Sequence, residues 1–136
     1  ADAAHYSPQQ VLQKLDQSQV RQAAVTSIPA QLAKRLHQLA PERILPLLGV
    51  YRTPADKLRW PQDSSLPARI QAALQTGGWR GIGELHIFAK DRHSPVFRRL
   101  VELAAQYKLP LLLHADPAVI DTVYDIAKER GCVDEG

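Results

Sequence analysis

The sequence predicts an α/β fold of parallel βα repeats, and three observations carry that prediction. Four short apolar runs of strand length alternate with amphipathic stretches of helix length. Two helix starts, Ser94-Pro95 and Asp116-Pro117, each come after such a run and pair a capping residue with a proline at the first helical position. The last run, "LPLLLHA" (109–115), is apolar on successive residues, which predicts a strand buried on both faces of a parallel sheet.

Taken in order, Ser7-Pro8-Gln9-Gln10 is an N-cap, a helix-starting proline and a glutamine placed to close a capping box, so a helix is expected over 8–16. A strand follows within 20–28. Leu32, Leu36 and Leu39 form one stripe of a helix over 30–40, and "RILPLLGVY" (43–51) is the next strand. The segment "RTPADKLRWPQDSS" lacks periodicity and reads as a long loop. Loops after strands often carry function, which makes Arg52, Lys57 and Trp60 candidate substrate contacts; the alternative is a surface loop with Trp60 tucked back on the body. Leu66, Ile70 and Leu74 stripe a helix over 66–76, and "RGIGELHIF" (80–88) is the third strand. Phe97, Leu100, Val101 and Ala104 stripe a helix over 95–107. After 109–115, Val119, Ile120, Val123 and Tyr124 stripe a helix over 117–129, ended by Gly131.

Two architectures fit this alternation: an open doubly wound sheet, or part of a (β/α)₈ barrel. A whole barrel takes about 250 residues, so this chain would supply its first units only. With 136 residues, a single α/β domain spanning 1–136 is expected. Hydrophobic residues at 45% and charged residues at 23% suit a soluble globular protein. No apolar run reaches the roughly 20 residues of a membrane span, and "ADAAHYSPQQ" has no signal-peptide pattern. One cysteine, Cys132, excludes an internal disulfide framework and fits a cytoplasmic location. The net charge of +3 is spread over Lys34/Arg35, Arg98/Arg99 and Lys128/Arg130 as solvated helix faces, with no interleaved aromatics, so neither nucleic acid nor membrane is an expected partner.

The chemistry concentrates in "GGWRGIGELHIFAKD" (77–91), where Glu84 and His86 interrupt an apolar run. Burying an unpaired carboxylate costs several kcal/mol. In either architecture functional groups gather at the carboxyl ends of the strands, and adjacent strands lie about 4.8 Å apart. Glu84 and His114 should therefore come within bridging distance of one ion or of each other, with His86 on the same side as Glu84 by the two-residue period. Asp116 is in step with His114, although a capping role before Pro117 accounts for it. His37 reads as a surface residue and His93 as an uncommitted loop residue. No Walker motif, nucleophile elbow or paired-cysteine zinc site is present, and "GGWRGIG" leads into a strand rather than a helix, unlike a phosphate loop.

The stretch "GIGELHIFAKDRHSPVFRRLVELAAQYKLPLLLHADPAVI" resembles the middle of an amidohydrolase-related, TIM-barrel metal-dependent hydrolase, with a glycine-led Glu strand, a helix, and an apolar strand ending in His. "DAAHYSP" matches the edge of that family's first-strand His-x-His signature, with His5 at the second His and Ala3 at the first. The resemblance implies a divalent metal, usually zinc, bound by His5, Glu84 and His114, with Glu84 and His114 at the reacting centre and His86 behind them. It implies activated water attacking a carbonyl, amide, ester or phosphoester of a small-molecule substrate. The family's further His and Asp would fall beyond Gly136, so the chain reads as an N-terminal portion of about five βα units, an incomplete barrel. Open strand edges would favour self-association. The alternative function is a non-catalytic α/β scaffold for binding or assembly.

Overall fold

Ser7 opens the first helix with a reciprocal cap. Its hydroxyl accepts from the Gln10 amide at 3.1 Å, and its own amide donates to the Gln10 side chain at 2.8 Å. The fold, a computed structural model, is described over residues 6–131. His5, Ala3 and Cys132 lie outside the described residues, and so does the strand expected to end at His5.

The elements run α1 (Pro8–Gln17), β1 (Ala23–Val25), α2 (Gln31–Leu39), β2 (Ile44–Leu48), α3 (Asp56–Arg59), α4 (Leu66–Gln75), β3 (Gly81–Ile87), α5 (Pro95–Gln106), β4 (Leu111–Ala115) and α6 (Pro117–Glu129), with short 3-10 turns at Trp60–Gln62 and Ala89–Asp91. All four strands are parallel in the order β1-β2-β3-β4, and the sheet curls like half a barrel with the helices between successive strands. Sequential order with no reversal contains no point at which a doubly wound sheet would change direction.

The expected helices fall within about a residue or two of their places. The segment read as an aperiodic loop differs, since it holds α3 and the 3-10 turn that follows. Trp60 supplies the reason: it is buried at 2% exposure, meets Phe97 edge-on at 6.1 Å between ring centroids, and folds the segment back onto the sheet.

The core lies between the sheet and α4, α5 and α6. Leu66, Ile70, Ile82, Leu85, Phe97, Leu100 and Val119 are all essentially inaccessible there. Each such side chain contributes about 1.5–3 kcal/mol on burial. Two expected stripes, those of α2 and α6, are narrower than the sequence suggests. Leu39 on α2 and Ile120 and Tyr124 on α6 are about half exposed, while Ile126 near the end of α6 is buried in place of the last two.

β4 is corrected more substantially. Its burial alternates, with Leu111 and Leu113 turned toward the core and Leu112, 47% exposed, on the open face. It is an edge strand with one face uncovered, so its unbroken apolar run does not mark burial on both sides.

Candidate metal centre

β3 and β4 bring the site together through their register. His86 lies opposite His114 and Ile87 opposite Ala115, at the carboxyl ends of both strands. Below this point the pairing slips. Gly83 lies opposite Leu112 but Leu85 lies opposite Leu113, which leaves Glu84 as an extra residue. Such bulges re-aim side chains. Gly83 is required here: at φ +142°, a Cβ would meet the Leu112 carbonyl oxygen at 2.6 Å and the Leu112 Cβ at 2.9 Å.

Glu84, His86 and His114 form one cluster. Glu84 Oε1 lies 3.3 Å from His86 Nε2 and 3.4 Å from His114 Nδ1, and the imidazoles stack at 5.1 Å between centroids. All three donor atoms fall within 4.8 Å of one another. Exposure rises across the cluster: the side chains of His86, Glu84 and His114 are 27%, 37% and 74% accessible, so the site opens toward the β4 edge.

His86 is the best-braced member. Its backbone amide donates to the Tyr51 hydroxyl at 2.9 Å, and that hydroxyl lies 3.1 Å from Nδ1. Its carbonyl accepts from the Trp60 indole at 2.9 Å. Burial chiefly, with the Lys57 ammonium and then His114 adding to it against the pull of Glu84, holds its pKa below the ordinary imidazole value. A neutral ring at neutral pH is the form that ligates a metal. Burial and the Glu84 charge outweigh the His86 amide and raise the Tyr51 pKa, so Tyr51 keeps its proton.

The donor set is suited to a divalent ion. Two imidazole nitrogens and one carboxylate oxygen make the three-ligand set of catalytic zinc, with a fourth position left over. Bonds of about 2.0–2.1 Å in a tetrahedron place donors about 3.3 Å apart, and both Glu84–His distances have that spacing. The same distances equally suit a metal-free carboxylate–imidazole pair.

Of the residues expected at the site, Glu84 and His114 come together and His5 lies outside the described residues. His86, expected behind Glu84 and His114, lies beside them, since the register sets its ring directly against His114. Asp116 does not cap α6 with its side chain. Instead it accepts from the Ala89 amide at 2.8 Å, tying the turn after β3 to the start of α6. His37 is half-buried rather than free, its Nδ1 2.7 Å from the Ile44 carbonyl oxygen. Trp60 is a buried brace, Arg52 is engaged with Asp56 and Asp63 at 3.5 and 3.6 Å, and Lys57 is the cation of this segment whose charge acts on His86. Tyr51 was missed: it sits at the end of an apolar run, where a tyrosine reads as one more packing residue.

Comparison with protein-family models, curated proteins and solved structures finds no match for the chain.

Proposed function

We propose that the chain carries part of the site of a metal-dependent hydrolase of the amidohydrolase type, on a partial (β/α)₈ barrel, with Glu84, His86 and His114 as its metal ligands. The observation that carries this reading is the spacing of the donors, 3.3 and 3.4 Å around Glu84 Oε1, at the carboxyl ends of adjacent parallel strands. The family resemblance adds His5 as a further ligand. A bound divalent ion, zinc by this donor set, would supply Lewis acidity and lower the pKa of water for attack on a carbonyl, amide, ester or phosphoester centre. Glu84 supplies the negative charge, His86 a rigidly held nitrogen, and His114 the accessible side from which a small-molecule substrate enters. A cytoplasmic setting without nucleic-acid or membrane partners accompanies this reading. No helix among the described residues is long and apolar enough to cross a membrane.

Zinc titration by calorimetry tests the proposal, with metal analysis after dialysis. One zinc per chain, lost in both His86→Ala and His114→Ala, is the expected result. A wild-type chain that takes up no zinc would overturn it and favour the second reading, a non-catalytic scaffold. That reading has its own support in the same contacts, which set Glu84 against both imidazoles without any metal.

A further inference from the structure

A cavity of about 420 Å³ opens in the segment that follows β2, bounded by Arg52, Asp56, Arg59, Trp60, Gln62 and Asp63. Its wall is tied to the end of β3. The Trp60 indole donates to the His86 carbonyl at 2.9 Å, and Arg52 directly follows Tyr51, whose hydroxyl accepts the His86 amide at 2.9 Å. The cavity therefore sits where the strands end, the edge at which parallel α/β sheets bind ligands. None of the six residues belongs to the Glu84–His86–His114 cluster.

The charges around the cavity do not cancel. Asp56 Oδ2 accepts the Arg52 amide at 2.8 Å, and Asp63 Oδ1 accepts the Ser65 amide at 3.0 Å and the Ser65 hydroxyl at 2.6 Å. The Arg52 guanidinium lies 3.5 Å from Asp56 and 3.6 Å from Asp63. Both distances exceed the ordinary N–H···O range of about 2.7–3.2 Å. Arg69 approaches the same Asp63 Oδ2 at 3.7 Å and donates to the Val50 carbonyl at 3.3 Å. One carboxylate oxygen thus faces two guanidiniums and is hydrogen-bonded to neither. Arg59 is exposed and makes no hydrogen bond or ion pair among the described residues. Three guanidiniums meet two carboxylates, and attraction at a distance holds the Arg52 side chain while leaving its N–H donors unused.

Unused guanidinium donors on a concave wall suit an oxyanion, which arginine binds through two parallel N–H groups. We propose that this cavity is an oxyanion-binding site, with Arg52 as the bidentate contact and Arg59 as the second cation, and that its ligands are small molecules bearing a carboxylate or phosphate group. Asp56 and Asp63 orient the Arg52 fork. The site needs no metal and stands independently of the hydrolase reading.

The test follows the Trp60 indole N–H by NMR while sodium phosphate or, separately, sodium succinate is added at constant ionic strength with EDTA present. The Trp79 indole, which donates to the Ala73 carbonyl outside the cavity, serves as the internal reference. Wild type, Arg52→Gln, Arg52→Lys, Arg59→Gln and Arg80→Gln are compared. Saturable binding of at least one anion is expected, weakened about tenfold in Arg52→Gln. Arg52→Lys keeps the charge but loses the fork, and should fall between wild type and Arg52→Gln. Arg59→Gln should weaken binding about threefold; Arg59 has no partner to lose, so that loss cannot come from unfolding. Arg80→Gln removes a cation from the amino end of β3 and should match wild type. The anion that binds more tightly identifies the phosphate or carboxylate source. Binding of neither anion by wild type, or equal affinity in wild type, Arg52→Gln and Arg59→Gln, overturns the proposal. An equal loss in Arg80→Gln also overturns it, by reducing the effect to overall charge. EDTA keeps these titrations free of metal, so loss of anion binding and loss of zinc binding are scored separately.

Discussion

Tyr51 holds His86 at two points: its hydroxyl accepts the His86 amide at 2.9 Å and lies 3.1 Å from the ring Nδ1. This contact crosses from the end of β2 to the end of β3 and fixes which ring nitrogen faces Glu84. When Nδ1 donates its proton to the tyrosine oxygen, the Nε2 lone pair is free for a ligand.

Tyr51→Phe keeps the ring and removes both contacts. We expect a loss of about 1–3 kcal/mol in stability from the orphaned amide, and about tenfold or more in zinc affinity. Urea denaturation and zinc titration measure the two effects separately. Unchanged zinc affinity would show that the hydroxyl braces the backbone alone.

Gly83→Ala sets a Cβ against the Leu112 carbonyl at a φ that L-residues rarely adopt. A loss of about 2 kcal/mol or more is expected. The change should also loosen the β3–β4 pairing, which hydrogen exchange of the 111–115 amides would report.

Stability should fall as the solution is acidified through the histidine range. Burial, Lys57 and His114 depress the folded His86 pKa, against the attraction of Glu84 and with the protonated Tyr51 against Nδ1. The unfolded chain therefore takes up the proton first, near the ordinary value of 6.5. Stability contributed by this group is present above that value, declines as pH drops toward the folded pKa, and levels off below it. Denaturation midpoints of wild type and His86→Gln, compared between about pH 7.5 and 5, should converge on the acidic side.

Asp116→Ala removes the acceptor for the Ala89 amide without touching the cluster. We expect a cost of about 1–2 kcal/mol and faster exchange of the 88–92 amides, with zinc affinity held. A fall in zinc affinity would mean that the turn after β3 supports the ligands directly.

The open face of β4 together with Ile120 and Tyr124 on α6 offers apolar surface and unpaired main chain at a sheet edge. We expect self-association at micromolar concentration, measurable by sedimentation velocity. It should be reduced by Leu112→Lys, which introduces a charge on the open face.

Much of the fold was legible because local rules and tertiary structure agree. The Ser7 box and the Ser94 cap each appear as hydrogen bonds, and the stripes of α4 and α5 are buried as their periodicity implies. What misled was context that a single segment does not encode. The run at 111–115 looks the same whether its second face is covered or open, and Asp116 before Pro117 looks like a cap whether or not Ala89 competes for its carboxylate. At the site, the pairing of Glu84 with His114 followed from strand spacing alone. The place of His86 and Tyr51 required the register across three strands.

The extra residue at Glu84 makes chain length, as well as composition, a determinant of this strand. Ile82 and Leu85 are three apart, yet they lie opposite Leu111 and Leu113, which share one face, and both are completely buried. A strictly alternating strand would send them to opposite sides. Substitution at position 84 changes one side chain. Deletion of that position shifts the phase between the core pattern on one side of it and the ligand pattern on the other. One of the two must then give way, so the chain should tolerate many replacements at residue 84 and no shortening there.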